Sequence, residues 1–274
     1  MKQQVIRDLQ DLRYLEWSRV RKTSGTAGSF LKSQEVSEGK KIYYKLSCYD
    51  SEHGVTGHES INEMIVDRLL SVLGIPHLEY QLLHGVVRVD GKEHETWLCA
   101  SDDFKAPGDS KIALDEYYDL EKLPGESPRE FCVRQGWGSY IQEMLLVDYL
   151  ILNRDRHGAN IEILKNRRTG QILPAPLFDH GLSLLYSCHS EAEAQAFDVM
   201  ADLPVQCFVG SRSARDNLDL ALAEKSLELR SLQQRDRAIL FRDLEEALPR
   251  VYQDKIWEMI WRRWQVYEDI SHHG

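Results

Sequence analysis

Asp155, Asn160 and Asp179 are three oxygen-bearing side chains whose spacing suits phosphate chemistry. The first two lie in "NRDRHGAN", residues 153–160, five positions apart. A loop of that length can aim both side chains into one cleft. An aspartate there can orient an attacking hydroxyl or accept its proton, and an asparagine oxygen can bind a hard cation without adding charge. Asp179 lies in "PLFDHGLSLL", followed by His180 and Gly181. A second carboxylate at that point could bridge Mg²⁺ to phosphate oxygens. Taken singly, each of these residues is ordinary: an Asp that caps, an Asn in a turn, an Asp in an Asx-turn. Taken together, D-R-H-x-x-N and then F-D-x-G form a much sharper pattern.

The elements that must position these groups are legible around them. The apolar run "YIQEMLLVDYLIL" predicts a helix over 139–152, with Ile141, Leu145, Tyr149 and Leu152 at helical spacing. "IEILKNRRTGQILPAPLFD" reads as a hairpin turning at "NRRTG", which carries Asp179 back towards Asn160. Upstream, "KTSGTAGSFLKS" is a Gly/Ser/Thr-rich loop, and "KIYYKLSCYD" is strand-like with Lys45 near its centre. In "HESINEMIVDRLLSVLG", Ile61, Met64, Ile65, Leu69, Val72 and Leu73 form one helical stripe, stopped by Gly74 and Pro76. Three strand-like pieces follow: "HLEYQLL", "GVVRVDG" and "KEHETWLCAS". The first twenty residues read as a helix through Val5, Leu9, Leu12 and Leu15 or Val20. After Asp102 come the loops "DDFKAPGDS" and "KLPGESPRE". The last stretches, "RDNLDLALAEKSL", "LQQRDRAILFRDLEEAL" and "YQDKIWEMIWRRWQVYEDI", are read as helices. The expected fold class is therefore α+β, with a strand-rich part over 1–103 and a helical part over 104–274.

Composition narrows the function. The chain has 274 residues, enough for two lobes around a cleft, and is 42% hydrophobic. A net charge of −10 argues against a nucleic-acid backbone as a direct partner. Five cysteines without a C-x-x-C pair fit neither a disulfide framework nor a zinc ribbon, and point to a reducing, cytoplasmic compartment. The start lacks a signal-type apolar stretch, and no run is long enough to span a membrane.

"DRHGAN" with "LPAPLFDHG" resembles the protein-kinase-like superfamily and, within it, most nearly the HipA-like kinases, whose pattern is D-x-H-x-x-N followed by Pro-x-x-Asp. Phosphatidylinositol kinases also carry D-R-H-x-x-N and a D-x-G, and are the near rival. The resemblance implies a two-lobed protein-kinase-like fold: a small strand-rich N-lobe, a larger helical C-lobe, and ATP and Mg²⁺ between them. Carried over, Asp155 is the catalytic aspartate and Asn160 a Mg²⁺ ligand on the catalytic loop. Asp179 is the principal Mg²⁺ ligand, and His157 braces the loop. Lys45 sits where a strand lysine reaches the α- and β-phosphates. Glu63 is its expected partner, with Glu59, one turn earlier, as the fallback. Ser24, Gly25, Thr26 and Gly28 would cover the phosphates, the glycines letting backbone N–H groups approach. "TWLCASDDF", with Cys99, would connect the lobes where backbone meets adenine.

The resemblance covers roughly residues 23–190 and is specific at 153–181. About twenty residues precede the Gly-rich loop, so the expected form is a compact one without the N-terminal subdomain of full-length HipA proteins. A second departure is "DHG" after Phe178. The implied activity is phosphotransfer to a protein Ser/Thr hydroxyl, with an antitoxin-like protein partner if the chain is of toxin–antitoxin type. Two other readings stand beside it. One is a lipid or small-molecule kinase, for which Trp257, Trp261 and Trp264 with Arg262 and Arg263 would offer a membrane-facing stripe. The other is a non-catalytic nucleotide- or partner-binding module.

Overall fold

In the computed structural model, which describes residues 3–18, 30–37, 39–223 and 227–273, the segment expected as an opening helix is a strand. β1 (Val5–Asp11) runs parallel to a later strand, with Val5 opposite Leu82. The helical stripe would run through Val5, Leu9, Leu12 and Leu15 or Val20, the last of which lies outside the described residues. Val5, Leu12 and Leu15 are buried, but Leu9 stands 52% exposed, so no continuous helical stripe exists to bury. Pairing with a sheet supplies the backbone partners instead, and tertiary context overrides local propensity.

The sheet that receives β1 has the order β1-β6-β7-β3-β2. β2 (Lys32–Ser37) and β3 (Lys40–Lys45) form an antiparallel hairpin whose register sets Lys32 opposite Lys45. β4 (Tyr49–Asp50) and β5 (Gly54–Val55) make a short separate pair. α1 (Glu59–Leu73) follows, and Gly74 ends it in the left-handed region at φ 79°, as its sequence signal predicts. Nearly every α1 residue is buried, because the helix lies between the sheet and the second half of the chain. "HLEYQLL" and "GVVRVDG" do not form two strands. Gln81 to Val89 is one strand, β6 (Gln81–Val89), paired along its whole length with β7 (Lys92–Asp102). His77 instead bridges to Leu177, two residues before Asp179.

The second half holds β8 (Asp109–Ala113), α2 (Leu114–Glu121), α3 (Pro128–Arg134) and α4 (Gly138–Ile151), then the two-residue strand β9 (Asp155–Arg156). The expected hairpin is β10 (Glu162–Asn166) with β11 (Ile172–Pro174), and β8 adds to it as a third strand. α5 (Glu191–Ala196), β12 (Gln206–Cys207) and α6 (Ala214–Leu222) follow. The helix expected over "LQQRDRAILFRDLEEAL" is only a 3-10 turn and α7 (Arg237–Leu240). The carbonyls of Leu240 and Arg242 are taken by the buried Arg68 guanidinium at 3.0 and 2.7 Å, and Asp243 turns at φ 65°, so the helix stops.

α8 (Arg250–His273) packs Trp257, Trp264 and Arg263 into the core, and Trp261 stacks on Trp257. The candidate membrane stripe is thus largely core. Among the described residues, no helix is long and apolar enough to cross a membrane.

Candidate active site

The catalytic-loop candidates are delivered by the end of α4. Leu152 terminates that helix in the left-handed region, at φ 51°, and turns the chain into residues 153–160. Asn153 then ties the turn down: its Nδ2 donates to Asp148 Oδ1 at 2.8 Å, and its Oδ1 accepts the Asp155 N–H at 3.2 Å. β9 pairs in parallel with β12, Asp155 opposite Gln206, which fixes the backbone on either side of Asp155. Residues 158–160 form a 3-10 turn. A Cβ on Gly158 would sit 2.5 Å from Asp115 Cβ, so this turn needs a glycine against α2. Asn160 donates from Nδ2 to the Asp155 carbonyl at 2.8 Å, and its amide oxygen is the end chemically suited to a cation.

His157 contributes its carbonyl to the turn, accepting the Asn160 N–H at 2.9 Å. Its ring is partly exposed and lies 3.7 Å from the Asp155 carboxylate. The side chain that ties the loop to its neighbours is Arg156. It bonds Asp148 twice, at 2.8 and 2.9 Å, and donates to the carbonyls of Asn160 and Phe178.

Asp179 arrives from the hairpin. Leu177 is held by Leu78, whose N–H donates to the Leu177 carbonyl at 2.9 Å. Asp179 itself adopts φ 59°, a conformation that costs free energy in a non-glycine residue and clusters at functional sites.

Lys45 reaches Asp179 from β3. Its Nζ lies 2.7 Å from Glu63 Oε1 and 2.5 Å from Asp179 Oδ1, so one ammonium joins the sheet, α1 and the post-hairpin segment. Burial alone would lower the Lys45 pKa, but the Asp179 and Glu63 carboxylates outweigh it and raise the pKa above the ordinary lysine value. Glu63 uses its second oxygen to accept the His180 N–H at 2.8 Å. It therefore holds both Lys45 and the peptide just after Asp179. The fallback Glu59 is engaged elsewhere, accepting the Cys48 N–H at 3.0 Å. Gly181 meets a close approach: a Cβ there would lie 3.2 Å from Lys45 Nζ and 3.1 Å from Glu59 Cβ. His180 Nδ1 is 3.8 Å from Glu63, yet burial, reinforced by the Arg156 charge, pushes its pKa well below the usual histidine value. It is a neutral packing group.

Cys99 lies on β7 directly opposite Lys45, buried, with Sγ 3.8 Å from the Lys45 carbonyl. Burial first, and Glu63 second, push its thiol up to about 12, so it is a neutral buried thiol and no thiolate nucleophile. At the end of β7 the chain crosses through Asp102 and Asp103 to Phe104, whose ring lies 5.8 Å from that of Phe178. Ser24, Gly25, Thr26 and Gly28 lie outside the described residues.

Sequence reasoning missed two site residues. Lys32 Nζ is 3.8 Å from Asp179 Oδ2, giving that carboxylate a second cation. No local sequence signal marks it, because only the β2–β3 register sets it opposite Lys45. The motif spelling alone gives Arg156 no role.

Asn160 and Asp179 carry the oxygens that could hold a hard cation such as Mg²⁺. Asp179 is paired with Lys45 and Lys32, so a cation bound there competes with both ammonium groups for its carboxylate. Among the described residues, no three His, Cys, Asp or Glu side chains form a metal cage. The two candidate oxygens, from Asn160 and Asp179, are as few as Mg²⁺ takes from protein when phosphate and water complete its shell. Lys45 and Lys32 bring positive charge to this corner of the fold, and the Asp155 carboxylate stands beside Asn160, 3.5 Å from its Nδ2.

No family model matches the chain, and no curated protein matches it by sequence. Solved structures do. The proinflammatory kinase CtkA of Helicobacter pylori superposes with a TM-score of 0.68 at 14% identity, covering 97% of this chain and 98% of that one. HipA of Shewanella oneidensis MR-1, solved with HipB and its operator DNA, matches with a TM-score of 0.47 at 14% identity, covering 91% of this chain and 67% of that one. At the identity found for CtkA the likeness is one of fold. This chain shares the mixed α+β, two-lobed fold of CtkA.

Proposed function

We propose that the chain is an ATP- and Mg²⁺-dependent phosphotransferase acting on an alcohol, and that the acceptor is a serine or threonine hydroxyl of a protein. One observation carries this reading: a buried lysine on the sheet is paired at once with a glutamate on α1 and with Asp179. That three-element junction is what a triphosphate site needs, since it fixes a positive charge and a metal-binding carboxylate in register. We place the lobe division at 103/104, the end of β7, so that the cleft is lined by Lys45 and Glu63 from one side and by Asp155, Asn160 and Asp179 from the other.

In this reading Lys45 and Lys32 hold phosphate oxygens. Asn160 and Asp179 hold Mg²⁺, which when bound neutralises charge on the transferred phosphoryl group. Asp155 orients the attacking hydroxyl and accepts its proton. Glu63 keeps Lys45 extended and, through the His180 N–H, keeps Asp179 turned towards it. Catalysis then rests on positioning and preorganised charge.

The membrane-lipid alternative loses its main support, because Trp257 and Trp264 are buried in the α8 core. The experiment is thermal unfolding with and without ATP and Mg²⁺. At a hundredfold excess over Kd, ligand should stabilise the fold by ~2.7 kcal/mol, and Lys45→Ala should reduce that gain. A well-folded protein with no shift for any nucleotide would sink the proposal.

A further inference from the structure

We infer that Arg156 is a positioning residue that sets Asn160 and Asp179 relative to one another and so tunes the affinity for Mg²⁺ with nucleotide; this rests on the phosphotransferase reading above. Arg156 is 1% exposed. Its Nε and Nη2 bind the two oxygens of Asp148, on α4, at 2.8 and 2.9 Å. Its Nη1 donates to the Asn160 carbonyl at 3.1 Å and to the Phe178 carbonyl at 2.9 Å. One nitrogen thus grips the backbone of the first candidate metal ligand and the peptide immediately before the second.

The residue type follows from this task. Only a planar guanidinium presents donors in a fixed fork that can bind a carboxylate in two places and still direct a third nitrogen elsewhere. An ammonium has the charge without the geometry. Asp148 is itself anchored, accepting from Asn153 Nδ2 at 2.8 Å, so the fork is referenced to the rigid end of α4. The opposite face of the loop is clamped by β12, which pairs with Asp155 and Arg156. Asp179 needs such a hold, since its φ of 59° is unfavourable for a residue with a Cβ. A buried ion pair is weak ground for stability by itself, because the desolvation it costs offsets much of the attraction. Fixing ligand geometry is a role that this particular bond set performs.

The pairing could instead serve packing alone, and the two cases separate in their metal dependence. The test uses the full chain and two variants. Arg156→Lys keeps the charge but cannot make all four bonds. Asp148→Glu keeps both charges but displaces the fork by one methylene, which provides a folded variant if the first is too unstable. Calorimetric binding of ATP would be measured across a Mg²⁺ series and in a chelator, beside denaturant melts. Removing an outer-shell partner typically weakens metal affinity by about 10–100-fold. The Mg²⁺ concentration at half-saturation should rise by that order in Arg156→Lys, and in the same direction in Asp148→Glu, while metal-free ATP binding stays as in the wild type. Variants that melt earlier but keep the wild-type Mg²⁺ half-saturation would overturn the inference and leave the phosphotransferase reading intact. A wild-type protein without Mg²⁺-dependent ATP binding would overturn that reading, and this inference with it.

Discussion

Replacing Glu63 by Gln removes one charge from the centre of the site and almost nothing from its volume. Glu63 is fully buried, with one oxygen 2.7 Å from the Lys45 ammonium and the other accepting the His180 N–H at 2.8 Å. Glutamine can serve only one of these donors with its oxygen, and its NH₂ must face the other. A hydrogen bond to a charged group is worth ~1.5–3 kcal/mol, and a buried donor left unpaired costs ~1–3 kcal/mol. Breaking a buried ion pair can cost ~3–5 kcal/mol, but Lys45 retains Asp179, so the lower part of that range applies. We expect a loss of about 2–3 kcal/mol. At roughly 2–4 °C per kcal/mol for a chain near this size, the melting temperature should fall by roughly 4–12 °C. Function should change in kind as well. With Glu63 neutral, Lys45 leans on Asp179 alone and competes harder with Mg²⁺ for that carboxylate, so more Mg²⁺ is needed for the same ATP-induced stabilisation. Thermal melts across a Mg²⁺ series at fixed ATP read both effects. A variant that melts within about 1 °C of the wild type, with an unchanged Mg²⁺ requirement, would refute the claim that Glu63 organises this junction.

Gly158→Ala should cost about 1–3 kcal/mol by overpacking, since the new Cβ would meet Asp115 Cβ at 2.5 Å and Cγ at 2.8 Å; urea unfolding measures it, and wild-type stability would show that α2 yields freely. His77 gives a pH signature. Burial would lower its pKa, but hydrogen bonds to the Asp67 carboxylate and the Ile75 carbonyl outweigh this and raise it above 6.5. Its folded pKa exceeds its unfolded one, so its stabilisation is full below pH 6.5 and is lost as pH rises through the raised value. The stability gap between wild type and His77→Gln should therefore narrow with rising pH over that window, and a gap that stays constant would contradict the assignment.

The candidate site was readable wherever the signal is local. The D-R-H-x-x-N spacing, the hairpin after it and the helical periods of α1 and α4 are short-range patterns, and the structure places those elements as expected. The junction of Lys45, Glu63 and Asp179 followed from the resemblance rather than from periodicity. Lys32 and Arg156 were not legible, because their roles arise from strand register and from carbonyls brought together by packing. β1 was misread since Val5, Leu9 and Leu12 suit a helix on paper, while a parallel partner 77 residues on decides the matter. The start of α3 was legible yet passed as a loop: "SPRE" is a capping box, with Ser127 accepting from the Glu130 N–H and Glu130 accepting from the Ser127 N–H at 2.8 Å.

The central claim, that this cleft transfers phosphoryl groups and does not merely hold nucleotide, is tested most directly by γ-labelled ATP and Mg²⁺ in a lysate, comparing wild type with Asp155→Asn. Wild type should label a protein species. Asp155→Asn should keep the ATP-induced thermal stabilisation while losing transfer by at least the ~10²–10⁴-fold that general acid–base help usually provides. Asp179→Asn should lose the stabilisation as well, because the metal contacts the nucleotide in the ground state. Near wild-type transfer by Asp155→Asn, or no labelled product from folded, ATP-binding wild type, would contradict the account and leave residues 153–160 as an architectural turn.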